Sequence, residues 1–386
     1  MNLFPLKNPE PEFSAMASVL KGETEAKKVH LVEYVIDFEV MGKIFEKLFG
    51  EKMISLTDAY SMDEIGKTLA LGKGLMPMAG EKEQAFWKQY AEFFYRMGYD
   101  YIPDLAPVGY LMVLSMPKVR LGDDTASLSR GKRVWAEEGK GIITSWQDFE
   151  KYHWDSLKLN LEAWIEFWDK NIPPGMKIST TCTIYEHVME RVLGYEGLFL
   201  MLYDQPDLVE AVFNRWGQIV YEFYEQAVKS DALGVIFHAD DLGYKTGTML
   251  KPEDLRKYVF PWFKKYSELA HSHGKMFWLH SCGKVLGVME DLIEDVKIDA
   301  FHSFQEVIIP VQEFQKRYSD RIGTLGGVDV DNLARMEEKQ LREYARGILD
   351  RCMPTRYAFG SGNSVTNYIP VDNYLIMLDE ARNWRG

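Results

Sequence analysis

From Pro173 to its end the chain repeats one unit: an apolar extended run, a polar turn, then an amphipathic stretch at helical spacing. The extended runs are MKISTTC (176–182), ALGVIFHADDLG (232–243), KMFWLHSCG (275–283), IDAFHSFQE (298–306), IGTLGGVDV (322–330) and RYAFGSGN (356–363). Helical patterns lie between them, over 208–230, 252–271 and 333–351 among others, and a last one spans 370–383. Strands separated by helices cannot form hairpins and instead pair in parallel, with both faces buried. Counted back to an earliest strand at Val29 or Asp100, the rhythm gives about eight alternations, which predicts an α/β fold of the (β/α)8 TIM-barrel type. A doubly wound open sheet is the alternative, but no early G-x-G-x-x-G turn supports a dinucleotide-binding version.

The whole chain, 1–386, reads as a single barrel domain with two additions. Residues 1–98 form an N-terminal extension, largely helical, together with the first elements. Within it Pro5, Pro9 and Pro11 discourage early regular structure, and helical patterns over 38–48 and 84–97 stop at Gly50 and Gly98. Residues 110–150 alternate short extended pieces (LMVLSM, KRVWAEEG, KGIITS) with glycine-rich turns, the mark of a β-hairpin insertion.

Composition excludes several classes. A chain that is 46% apolar and 27% charged is globular, and no apolar run reaches membrane-spanning length. The N-terminus lacks a basic segment followed by an apolar one, and three cysteines make no disulfide framework, so a cytoplasmic location is expected. A formal charge of -13 argues against nucleic acid as a partner.

Functional side chains of such barrels lie at the carboxyl ends of the strands, and this rule sorts the candidates. His280 and Cys282 lie two apart at a strand end and point the same way if the extended backbone persists. They form either a metal half-site or a nucleophile–base pair. Glu306 completes a nitrogen, sulfur and oxygen set for Zn2+ if the first option holds. His238, Asp240 and Asp241 follow another strand. Asp240, in phase with His238, is expected on the cavity wall as a catalytic group, while Asp241 either joins it or ties down a loop amide. Ser361 and Asn363 in FGSGNS, and Asp329 after Gly326-Gly327, are candidates for holding an anionic group or cofactor. Cys352 precedes its strand and is expected at the opposite end.

Four segments together resemble the uroporphyrinogen decarboxylase superfamily, and within it the corrinoid-dependent methyltransferase branch. They are TTCTIYEHVMERVLGYEGLFLMLYDQPDLVEAVF, DDLG with KPEDLRKYVFPWFKKY, WLHSCGKV, and FGSGNSVTNYIPVDNYLIMLDEA. The resemblance implies a barrel that works on a substrate at its mouth, with His280 and Cys282 binding zinc. It also implies cobalamin carried by a separate corrinoid protein, and it makes a homodimer plausible. In thiol-activating members a second cysteine follows the last strand, where this chain has Ser361. The arginine-rich N-terminal motif of the decarboxylases has no counterpart in HLVEYVIDFEV.

The expected function is therefore zinc-dependent transfer of a methyl group from a small methoxylated, aromatic compound to cobalamin on a corrinoid protein, as in O-demethylation. The alternatives are a metal-free decarboxylase, a methylcobalamin-to-thiol methyltransferase, and a catalytically silent barrel acting as a scaffold.

Overall fold

The computed structural model describes residues 4–59, 75–115, 119–126, 128–129, 132–136 and 141–385. Its core is a curled parallel sheet of seven strands: β1 (Tyr101–Asp104), β4 (Lys177–Thr180), β5 (Leu233–Ala239), β6 (Met276–His280), β7 (Ala300–His302), β8 (Gly323–Leu325) and β9 (Tyr357–Ala358), hydrogen-bonded in that order. β2 (Val119–Asp123) and β3 (Lys132–Ala136) pair antiparallel as a separate hairpin. Helices flank the sheet, the longest being Pro206–Ala227, Glu81–Arg96 and Glu338–Cys352.

The expected closed barrel is met only in part. Among the described residues, 30–32 bond to β9 through Val32 N–H to Phe359 O and Phe359 N–H to His30 O, both close to 2.9 Å. Toward β1 the same segment makes side-chain contacts instead. Asp100 bonds His30 Nδ1 at 2.7 Å and Lys28 Nζ at 2.9 Å, and the Tyr101 hydroxyl donates to the Glu33 carbonyl. The seam between the first segment and β1 is thus held by side chains, and the ladder curls without closing.

Of the piece LMVLSM, expected as extended, residues 111–114 belong to a helix over Ala106–Leu114. A short run that is apolar throughout suits a buried helix as well as a strand, and periodicity cannot separate the two. The expected hairpin pieces over 137–140, with Gly131, lie outside the described residues.

Inside the curl, Val32, Tyr101, Val235, Phe237, Met276, Trp278, Ala300, Leu325 and Ala358 pack on Phe13, Met16 and Leu20 of the helix Phe13–Leu20. Gly323 leaves room for Leu20 at the start of β8, so this helix plugs the amino ends of the strands. The opposite, carboxyl ends remain for a site. Register fixes which side chains face in: Phe237 pairs with Trp278, and Ala239 with His280, which pairs with His302. Neighbours in a parallel register point to the same side.

Candidate metal centre

Two loops meet over the carboxyl ends of β5 and β6, and their backbones touch. Gly283, at φ +81°, lies so close to Gly243 that a Cβ would collide with its backbone. Gly243 N–H donates to Cys282 O at 3.1 Å. Only glycine tolerates both the left-handed backbone and this approach. The contact carries Asp241 to Cys282, whose N–H donates to Asp241 Oδ1 at 2.9 Å.

His280 points inward from the end of β6, and Cys282 keeps its phase. Cys282 Sγ lies 3.6 Å from His280 Nε2, which in turn is 3.6 Å from Asp241 Oδ1. All three donor atoms fall within 4.8 Å of one another. Ligands at the vertices of a zinc tetrahedron, with bonds of 2.0–2.3 Å, are separated by roughly 3.3–3.8 Å, and both 3.6 Å separations from His280 Nε2 fall in that range. The donor chemistry fits as well: a cysteine sulfur, an imidazole nitrogen and a carboxylate oxygen. Further contacts hold the sulfur: Asn363 Nδ2 donates to it at 3.1 Å and the Ser303 hydroxyl approaches at 3.7 Å.

The electrostatics favour positive charge at this point. Burial works against a charged His280 ring, but Asp241 and Cys282 outweigh it and hold its pKa well above the ordinary range. Burial likewise opposes ionisation of Asp241, and bonds from His280 and the Cys282 amide overcome it, so Asp241 stays ionised. Glu186 lies within the negative field of these groups. Burial, then Asp241 and Glu190, push its carboxyl up to about 8. Tyr34 stacks on the His280 ring with centroids 4.4 Å apart, and its hydroxyl meets Thr181 Oγ1 at 3.3 Å. Behind His280, its Nδ1 lies 2.7 Å from His302 Nδ1, and His302 Nε2 lies 3.1 Å from the Ser361 carbonyl.

Several expected residues sit elsewhere. His238 and Asp240 face out of the sheet, because Val235, Phe237 and Ala239 take the inward phase of β5. His238 lies among Tyr224, Phe263 and Tyr266 and bonds the Tyr224 hydroxyl at 2.9 Å and Asp240 at 3.1 Å. Asp240 accepts the N–H groups of Ile184, Tyr185 and Glu186 at 2.8–3.1 Å, so it ties β5 to the helical turn after β4. Asp241, for which a loop-tying role was the alternative, is the one that reaches the donor cluster.

Glu306 does not reach it: its carboxylate accepts the Tyr344 hydroxyl at 2.6 Å, and Asp241 supplies the oxygen beside His280 and Cys282. Asp329 accepts from the amides of Asp331, Asn332 and Glu306, which makes it a cap for the helix Val330–Arg335. Ser361 turns its hydroxyl to Glu33, whose buried carboxyl is pushed up to about 8 by desolvation. Asn363 does join the cluster, through the sulfur. Cys352 is buried at the end of its helix, on the expected far side. Tyr34 and Glu186 also border the site and were not among the residues expected there: Tyr34 lies in the segment read from Val29, and Glu186 lies beyond the run MKISTTC, four residues past its end.

A parallel α/β sheet carrying a three-donor cluster at its carboxyl ends places a candidate metal site at the mouth of the fold. The model of the family Uroporphyrinogen decarboxylase (URO-D) matches residues 171–384, more than half of the chain. The chain therefore belongs to the URO-D family. No curated protein matches it. Its fold is similar to that of a methyltransferase from Methanosarcina mazei, with TM-score 0.63 and 14% identity over 97% of this chain and 99% of that one. A putative vitamin-B12 independent methionine synthase from Listeria monocytogenes aligns more loosely, with TM-score 0.47 and 11% identity over 94% of this chain and 98% of the other. Among the described residues no helix is long and apolar enough to cross a membrane.

Proposed function

We propose that the chain is the substrate-side methyltransferase of a corrinoid-dependent pair. It moves a methyl group from a methoxylated aromatic compound to cobalamin on a partner corrinoid protein, as in O-demethylation, in a reducing cytoplasm. The observation that carries this reading is the meeting of Asp241, His280 and Cys282 at the mouth of the sheet. When bound there, Zn2+ supplies Lewis acidity toward an ether oxygen. The chain's own residues do the rest. Cys282 and Asp241 set the charge of the site, Asn363 and Ser303 steady the sulfur, and the Tyr34 ring offers a flat wall to an aromatic substrate. As the methyl–oxygen bond breaks, the oxygen keeps the electron pair and takes a proton from Glu186, while the methyl group passes to the partner's cobalamin.

Two features favour this reading over its relatives. A thiol acceptor would be served by a second sulfur, whereas Ser361 is engaged with Glu33 and the Asn363 carbonyl. A polycarboxylate would meet the ionised Asp241, which repels it. The test is turnover: purified chain, a Co(I) corrinoid protein and a panel of methoxyarenes. Release of a phenol with matching formation of methylcobalamin is expected, and it is expected to vanish in Cys282→Ala and Asp241→Asn. No phenol from any panel member would end the proposal.

A further inference from the structure

The pair His280–His302 poses a question of proton count. Two imidazole nitrogens 2.7 Å apart can share only one proton, so one ring donates and the other accepts. The direction follows from the far side of His302. There its Nε2 lies 3.1 Å from the Ser361 carbonyl, a group that can only accept, so His302 carries hydrogen on Nε2. The ring is fully buried, edge-on to Phe237, and its two polar neighbours are a carbonyl and an imidazole rather than a carboxylate. A second proton would place an unpaired charge in that setting. His302 Nδ1 is therefore a bare acceptor, and the shared proton belongs to His280 Nδ1. What remains on His280 for Asp241 and Cys282 is Nε2.

We propose that His302 is a positioning residue that fixes the ring proton of His280 on Nδ1 and dedicates Nε2 to a metal ion, with the Ser361 carbonyl as the anchor of the relay. The proposal rests on the metal reading of the site. Metal-bound histidines commonly give their second N–H to a carbonyl or carboxylate, and here an intervening imidazole relays that role from the backbone. The fold is arranged for it. β6 and β7 are in register at His280 and His302, and Gly326, at φ +81°, leaves the space in which a Cβ would press on His302 Nε2 at 3.0 Å. Ser361 thus contributes through its backbone, which accounts for a use of this position that needs no cysteine.

The experiment has two arms, both on the full chain. Long-range proton–nitrogen correlation on protein with 15N-labelled histidine reads each ring's proton directly. His302 is expected to carry hydrogen on Nε2 alone, and His280 to keep hydrogen on Nδ1 with and without added zinc. A bare His280 Nδ1, or a protonated His302 Nδ1, overturns the proposal. Zinc competition against a chelator forms the second arm. His302→Ala is expected to weaken zinc binding 10- to 100-fold. His302→Gln, whose amide can accept from His280 and donate to Ser361, should stay within about threefold of the parent, the relay being kept. Equal affinity in the alanine variant would sink the relay and leave the metal reading standing. A parent chain that binds no zinc would sink the metal reading, and the nitrogen spectra would still decide the relay.

Discussion

At the scale of single residues, Asp240 and Asp241 show how one residue type takes two jobs at adjacent positions. Asp240 is fully buried and satisfies three backbone amides, so its removal leaves donors stranded in a dry interior. Asp240→Ala is expected to cost about 3 kcal/mol in urea unfolding. Asp241→Asn should cost under about 1 kcal/mol, since 39% of its side chain reaches solvent, yet abolish zinc retention. If the two variants lose stability equally, the division of labour is wrong. Glu186 is the proton source in the proposed reaction. Glu186→Gln should lower kcat by roughly 10²- to 10⁴-fold, and by less for methoxyarenes whose phenols are more acidic. An unchanged dependence on leaving-group acidity would remove Glu186 from that role. The pairing of His280 with Cys282 was legible in the sequence because a spacing of two preserves phase. Choosing between His238–Asp240 and Ala239–Asp241 was not. Parallel strands are apolar on both faces, so Val235 and Phe237 cannot be told from Ile236 by pattern, and the inward phase is unmarked.

At the scale of elements, the seam beside β1 depends on Asp100. Burial opposes ionisation of its carboxyl, but the His30 bond and charge, Lys28 and the Glu12 amide prevail and hold its pKa at about 2. A folded value below the ordinary 3.8 means stabilisation that is present above about pH 4 and lost as pH falls toward 2. The contribution is about 2 kcal/mol. Asp100→Asn should therefore lower the urea midpoint at pH 7 and flatten its fall between pH 4 and 2, while an unchanged acid profile would place the seam's stability elsewhere. The loop pair at Gly243 and Gly283 makes a second case. Gly283→Ala faces both a positive φ and a backbone collision, and is expected to cost about 2 kcal/mol or more and to weaken zinc binding by parting Asp241 from Cys282. Zinc affinity equal to the parent's would show that the loop contact does not set the donor spacing. The strand–helix alternation after Pro173 was readable, since each unit carries its own turn and periodicity. The state of the seam was not, because it depends on His30, Asp100 and Tyr101 meeting across 70 positions of chain.

For the whole molecule, the family, the curled parallel sheet and the donor cluster converge on one design. The helix Phe13–Leu20 seals the amino ends, the packed interior supports the strands, and the donor cluster lies at the carboxyl mouth. In that design the metal is bound by the folded state alone, so it should stabilise the fold. Free zinc at about 100 times its Kd is expected to add about 2.7 kcal/mol to unfolding. Zinc K-edge X-ray absorption on the loaded chain tests the central claim most directly. One sulfur at about 2.3 Å with nitrogen and oxygen neighbours near 2.0–2.1 Å is expected, the sulfur shell disappearing in Cys282→Ala. A first shell of nitrogen and oxygen alone in the parent chain, or a sulfur shell that survives that substitution, would contradict it.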